Sequence, residues 1–70
     1  MIACPRCFQD YVVPATITVL NKRICICPEC DSFWDPGEPV RLETYRCYGV
    51  YMEEQGFQNP WKLLVFDSKT

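Results

Sequence analysis

Of the six cysteines in this 70-residue chain, four form two Cys-x-x-Cys pairs, Cys4-Pro5-Arg6-Cys7 and Cys27-Pro28-Glu29-Cys30. Nineteen residues separate the pairs, a spacing at which four thiolates can converge on one zinc ion. No other feature constrains the fold as much. So short a chain buries only a small core, and a bound metal supplies what that core lacks. Proline after the first cysteine of each pair fixes φ, so each pair is expected to form a tight knuckle whose two sulfurs converge.

Four thiolates satisfy zinc as a closed tetrahedron and leave no position for an activated water. The expected cofactor is therefore one structural Zn2+ held by Cys4, Cys7, Cys27 and Cys30. Iron is the rival metal, because a four-cysteine cage suits it too. Redox catalysis by a Cys-x-x-Cys pair belongs to a βαβ setting that this pattern lacks. Cys25 and Cys47 read as small apolar core residues. Cys25 also shares a strand face with Cys27 and could compete for the metal. The chain contains no histidine, which rules out nucleophile-histidine catalysis, and its carboxylates show no recognisable catalytic pairing. No enzyme is expected.

Seventy residues with 49% hydrophobic content imply one folded domain, 1–70. No apolar run approaches the length of a membrane span. The N-terminus lacks a basic segment followed by a long apolar stretch, so a signal peptide is not expected. A reducing, cytoplasmic setting follows, in which this spacing favours metal over disulfides. The formal charge is −2; ionising four thiolates and adding one dication makes it more negative still. Among the basic residues only Lys22-Arg23 is a pair, so the clustered positive charge that drives phosphate binding is missing. Direct nucleic-acid binding is not expected. An acidic chain suits a basic protein partner.

Residues 1–34 read as a metal-binding hairpin. Ala15 to Leu20 alternates and is rich in β-branched residues, which predicts a strand; Asn21-Lys22-Arg23 turns, and Ile24-Cys25-Ile26 returns to deliver Cys27. The run Asp35-Pro36-Gly37-Glu38-Pro39 marks a boundary. Residues 40–70 then supply a helix and a terminal segment packed on the hairpin. Leu42, Tyr45, Gly49 and Met52 recur at three- and four-residue steps, which predicts a helix from Leu42 to Gln55 with Thr44 near its start. Gly56 is placed to end it in a left-handed conformation with Phe57 folding back. Asn59-Pro60 can open a short turn at Trp61. Leu63 to Phe66 reads equally as strand or extended tail.

Aromatic residues gather in the C-terminal third beside acids, a composition common at protein interfaces. The candidate partner-contacting residues are Asp31, Trp34, Asp35, Glu38, Tyr48, Tyr51, Glu53 and Glu54.

The two knuckles and the hairpin between them resemble the zinc-ribbon superfamily, with Cys4, Cys7, Cys27 and Cys30 in the place of its four ligands. The resemblance implies a small α+β zinc-ribbon fold: a β-hairpin with two knuckles, one C-terminal helix and a short terminal segment. Such knuckles, like those of rubredoxin, often carry glycine after the second cysteine. Here Phe8 and Asp31 take that position, and distortion of the first knuckle is expected because phenylalanine tolerates the left-handed conformation poorly. The order of Cys27, Cys30, Trp34, Tyr51, Met52, Gly56 and Trp61 is similar to that in small bacterial zinc-ribbon proteins encoded beside polymorphic toxins. Those are immunity proteins of contact-dependent inhibition and related systems. The similarity implies a stoichiometric inhibitor that binds a toxin domain, often a basic nuclease. A transcription-associated zinc ribbon and a rubredoxin-like iron carrier are the alternatives.

Overall fold

The computed structural model describes residues 2–66; Met1 and the last four positions of the expected 1–70 domain lie outside the described residues. Six short strands, β1 (Ile2–Ala3), β2 (Tyr11–Ile17), β3 (Lys22–Ile26), β4 (Ser32–Trp34), β5 (Arg46–Cys47) and β6 (Leu64–Phe66), form one curled antiparallel sheet. One helix, α1 (Tyr48–Glu54), and two 3₁₀ turns, at Leu42–Thr44 and Pro60–Leu63, complete the elements among the described residues. The strand order is β1-β2-β3-β4-β5, with β6 added to β2. Both expected halves thus contribute strands to the same sheet.

The hairpin is real but displaced toward the N-terminus. Val13 pairs with Ile26 and Ile17 with Lys22, whereas Thr18, Val19 and Leu20 turn instead of continuing the strand. Leu20 N–H donates to Ile17 O at 3.2 Å, Asn21 N–H donates to Thr18 O at 3.2 Å, and Asn21 is left-handed at φ 50°. Pro14 stands opposite Cys25 of β3, and it is tolerated inside β2 because on the other edge of the strand it lies between the pairings with β1 and β6. β1 engages Tyr11 and Val12, β6 engages residues 15–17, and neither needs the N–H that proline lacks.

Alternation along the strands divides the apolar residues between two clusters. Ala15 and Ile17 of β2, Ile24 and Ile26 of β3 and Phe33 of β4 join Tyr48, Met52 and Leu64 in the larger one. Residues of opposite parity, Val12 and Trp34, join Cys4 and Cys27 in the smaller one, with Cys25, Val40 and Tyr45 packed around them. The sheet therefore has a helix-covered side and a cysteine-bearing side.

This division explains why the expected helix from Leu42 to Gln55 does not form at that length. Tyr45 serves the cysteine cluster, while Tyr48 and Met52 serve the other. A single helical stripe cannot straddle a sheet, so the chain crosses the sheet edge first. Tyr45 is extended (φ −70°, ψ 154°), Arg46–Cys47 pairs with β4, and only then does α1 begin. Thr44 caps nothing in α1; its hydroxyl donates to Pro39 O and Arg41 O. The helix end follows expectation. Gly56 is left-handed at φ 87°, its N–H donates to Glu53 O at 3.0 Å, and Phe57 N–H donates to Met52 O at 3.0 Å. Pro60 opens the second 3₁₀ turn, and Leu64–Phe66 is a strand.

Candidate metal centre

Two turns flank the central hairpin and are built alike. In the first, Cys4 N–H donates to Asp10 O at 3.0 Å and Phe8 N–H to Cys4 O at 3.1 Å. In the second, Cys27 N–H donates to Ser32 O at 2.8 Å and Asp31 N–H to Cys27 O at 3.0 Å. The residue that closes each turn is left-handed, Phe8 at φ 56° and Asp31 at φ 73°. The two turns match as far as that left-handed residue, and the first then closes one residue later than the second, on Asp10 six residues beyond Cys4 where Ser32 is five beyond Cys27. Phe8 adopts the conformation at a steric cost of roughly 1–2 kcal/mol.

The turns bring Cys4, Cys7, Cys27 and Cys30 together, with all four Sγ atoms within 4.8 Å of one another. Cys4 and Cys30 sulfurs are 3.5 Å apart, and those of Cys7 and Cys27 are 3.6 Å apart. A tetrahedral ion with metal–sulfur bonds of about 2.3 Å requires sulfur separations of about 3.8 Å. The cluster can hold one metal ion with little adjustment. Backbone N–H groups aim at the sulfurs, Arg6 N–H at Cys4 Sγ and Gln9 N–H at Cys7 Sγ, each at 3.4 Å.

The Cys27 and Cys30 thiols are shifted in opposite directions. Burial pushes the Cys27 thiol up to about 12, against the backbone N–H bonds from Cys30 and Glu29. Burial works against Cys30 too, but the hydroxyl and backbone N–H of Ser32 hold it down to about 7.

The remaining cysteines stay outside this group. Cys25 packs against the cysteine cluster, opposite Trp34 in register, and burial pushes its thiol up, with Arg23 opposing. Cys47 lies across from Ser32 on β5, with Arg6 Nη1 4.0 Å from its sulfur. Neither supplies a sulfur to the four-atom cluster.

The candidate contact residues fare unevenly. Trp34 and Tyr48 are core residues and not surface anchors, each 0% exposed. The Trp34 indole N–H donates to Arg41 O at 2.9 Å, and the Tyr48 hydroxyl donates to Pro60 O at 2.7 Å. Both belong inside because a chain this small has few other large side chains to fill its clusters. Tyr51 is half-buried, edge-on to Phe33 with ring centroids 5.2 Å apart. Asp31 is occupied structurally, its Oδ2 accepting from Gly49 N–H at 3.1 Å. Asp35 pairs with Lys22 at 3.1 Å, and Glu38 accepts twice from Arg46, at 3.0 and 3.1 Å. Glu53 and Glu54 are exposed on α1.

The exposed rings lie elsewhere. Phe8 is 74% exposed, Tyr11 51% and Trp61 43%. In the sequence Phe8 stands out only for its backbone position after Cys7, and nothing in its neighbourhood signals that the ring points outward. Arg6 and Ser32, which surround Cys30, were also missed. Their positions beside the ligands were the available signal.

Among the described residues, no helix is long and apolar enough to cross a membrane. Compared with known proteins, the chain matches no family model, no curated protein and no solved structure.

Proposed function

We propose that this chain is a non-catalytic zinc-ribbon module that works by binding another protein, most specifically an immunity protein that neutralises a cognate bacterial toxin domain. The observation that carries the reading is the closed set of four sulfurs within 4.8 Å of one another. One zinc ion there would complete its coordination with protein ligands alone, leaving nothing for a substrate or a reactive water. The metal would stabilise a surface, and the function would reside in that surface.

Two features support protein as the partner. Large apolar side chains remain outside the core, including Ile2, Phe8, Tyr11 and Trp61, and aromatic residues of this kind anchor protein interfaces. The formal charge of −2 would steer the chain toward a basic partner such as a nuclease domain. Of the candidate acids, Glu53 and Glu54 are exposed on α1 and lie outside the ion pairs of the 35–46 region.

Two measurements test the reading. Metal analysis of the purified protein should return one zinc per chain and a colourless solution, and a coloured, iron-bearing protein would overturn zinc. Co-expression with the toxin domain encoded beside it should yield a one-to-one complex and protect the cells. Absence of both complex and protection would remove the immunity reading.

A further inference from the structure

Arg6 sits between the two ligands of the first turn, yet its side chain belongs to the second. Its Nη1 donates to the Cys30 carbonyl oxygen at 3.4 Å, to the Ser32 hydroxyl oxygen at 3.2 Å and to Cys47 Sγ at 4.0 Å. The guanidinium also lies 4.5 Å from the centre of the Tyr45 ring. Ser32 Oγ is in turn hydrogen-bonded to Cys30 Sγ at 3.3 Å. A cation carried by one turn thus reaches a sulfur of the other through a single hydroxyl.

We propose that Arg6 is a positioning residue for the metal centre, fastening the Cys27–Cys30 turn to the Cys4–Cys7 turn and offsetting the negative charge of the thiolates. The proposal rests on the reading that the four cysteines hold zinc. Four thiolates outweigh the charge of one dication, and an excess negative charge at a half-buried site favours a cation nearby. Lys22 and Arg46 find that partner in carboxylates. Among the described residues Arg6 contacts a carbonyl, a hydroxyl, a sulfur and a ring but no carboxylate. The thiolate group is its counter-charge.

Ser32 is suited to the relay. It is 0% exposed, so its hydroxyl has little access to water, and one oxygen can accept from Arg6 while giving its hydrogen to the Cys30 thiolate. Arginine is suited to its end, because a planar fork makes several directed bonds at once and never loses its proton. Lysine at position 6 would keep the charge and lose the fork.

The test is zinc affinity, read by competition with a chromophoric chelator, for the wild type, Arg6→Gln, Arg6→Lys, Ser32→Ala, the Arg6→Gln/Ser32→Ala double variant and Lys62→Gln. Arg6→Gln should weaken zinc binding about 10–100-fold, as loss of a partner beyond the ligand shell does at other metal sites. Arg6→Lys should recover part of the loss. The double variant should lose less than the product of the single effects, because both residues act through one chain of bonds. Lys62→Gln removes the same charge from the exposed 3₁₀ turn at Pro60–Leu63 and should bind as the wild type does. Cobalt(II) spectra separate positioning from folding: Arg6→Gln loaded with cobalt should keep the wild-type four-sulfur spectrum. A changed spectrum, or a zinc affinity equal to that of the wild type, would overturn the proposal. A wild-type protein that binds no zinc would instead overturn the metal reading, and this proposal with it.

Discussion

Removing the metal should release one segment before any other, residues 2–10. Those nine residues contain a single buried side chain, that of Cys4. Ordering them costs roughly 1–2 kcal/mol per residue in backbone entropy, on the order of 9–18 kcal/mol in all. Against that cost the segment has the Cys4–Asp10 and Phe8–Cys4 backbone bonds, each contributing about 1 kcal/mol net, and the two-residue pairing of β1 with β2. Ile2 and Phe8 are exposed and contribute little burial. Structural zinc in small peptides binds with about 10–16 kcal/mol of apparent free energy, enough to close the deficit. Ile17, Ile24, Phe33, Tyr48 and Met52 form the separate larger cluster on the other side of the sheet, so the amides of β2, β3 and α1 should stay the slowest to exchange. Hydrogen exchange of zinc-loaded and chelated protein, resolved by residue, reads this directly. Unchanged protection of residues 2–10 after chelation would refute the reasoning. So would loss of protection that begins in α1.

Other outcomes follow from single contacts. Tyr48→Phe removes the donor to Pro60 O while keeping the ring edge-on to Phe33 and Trp61; urea unfolding should show a loss of about 1 kcal/mol. Phe8→Gly relieves a left-handed backbone at little cost in burial, and the zinc-loaded variant should melt at or slightly above the wild-type temperature. The hydrogen bonds from Arg46, with the Asp35 N–H, hold the Glu38 carboxyl below its ordinary value of 4.5. A folded-state value below the unfolded one gives stability that is present above about 4.5 and lost as the pH falls through the folded value. The melting temperatures of wild type and Glu38→Gln should therefore converge in acid. Taking the difference between them cancels the acid release of metal common to both, and parallel curves would refute the pairing.

The cysteine cluster was legible in the sequence because ligand spacing is a local property and survives any arrangement of what lies between. The turn at Gly56 was legible for the same reason, since a left-handed glycine closing a helix needs only its immediate neighbours. The start of α1 was not. Leu42, Tyr45, Gly49 and Met52 have helical spacing, but Tyr45 and Met52 belong to clusters on opposite sides of the sheet. No one-dimensional period carries that information. The acids misled in a related way. Asp31, Asp35 and Glu38 look like a surface cluster, yet each already has a partner in Gly49, Lys22 or Arg46. Phe8 and Arg6 show the limit from the other direction. Both sit in the most readable motif of the chain, and their side chains point where only the folded turns could send them.

Asp31 has a consequence for how this chain can change length. It follows ligand Cys30 directly, its backbone oxygen accepts from Tyr48 N–H at 2.8 Å, and its carboxylate accepts from Gly49 N–H at 3.1 Å. A side chain at position 49 would have its Cβ 3.2 Å from that carboxylate oxygen, which suits glycine there. The junction of Cys30 with Asp31 is thus a hinge pin between the cysteine turn and the helix, and one inserted residue there would uncouple them. The intervening loop carries no such demand at Gly37, which has nothing within 4 Å of where a side chain would start. Extra sequence grafted at Gly37 would be carried on the outside of the molecule, while the register between the cysteine turn and the helix stayed unchanged.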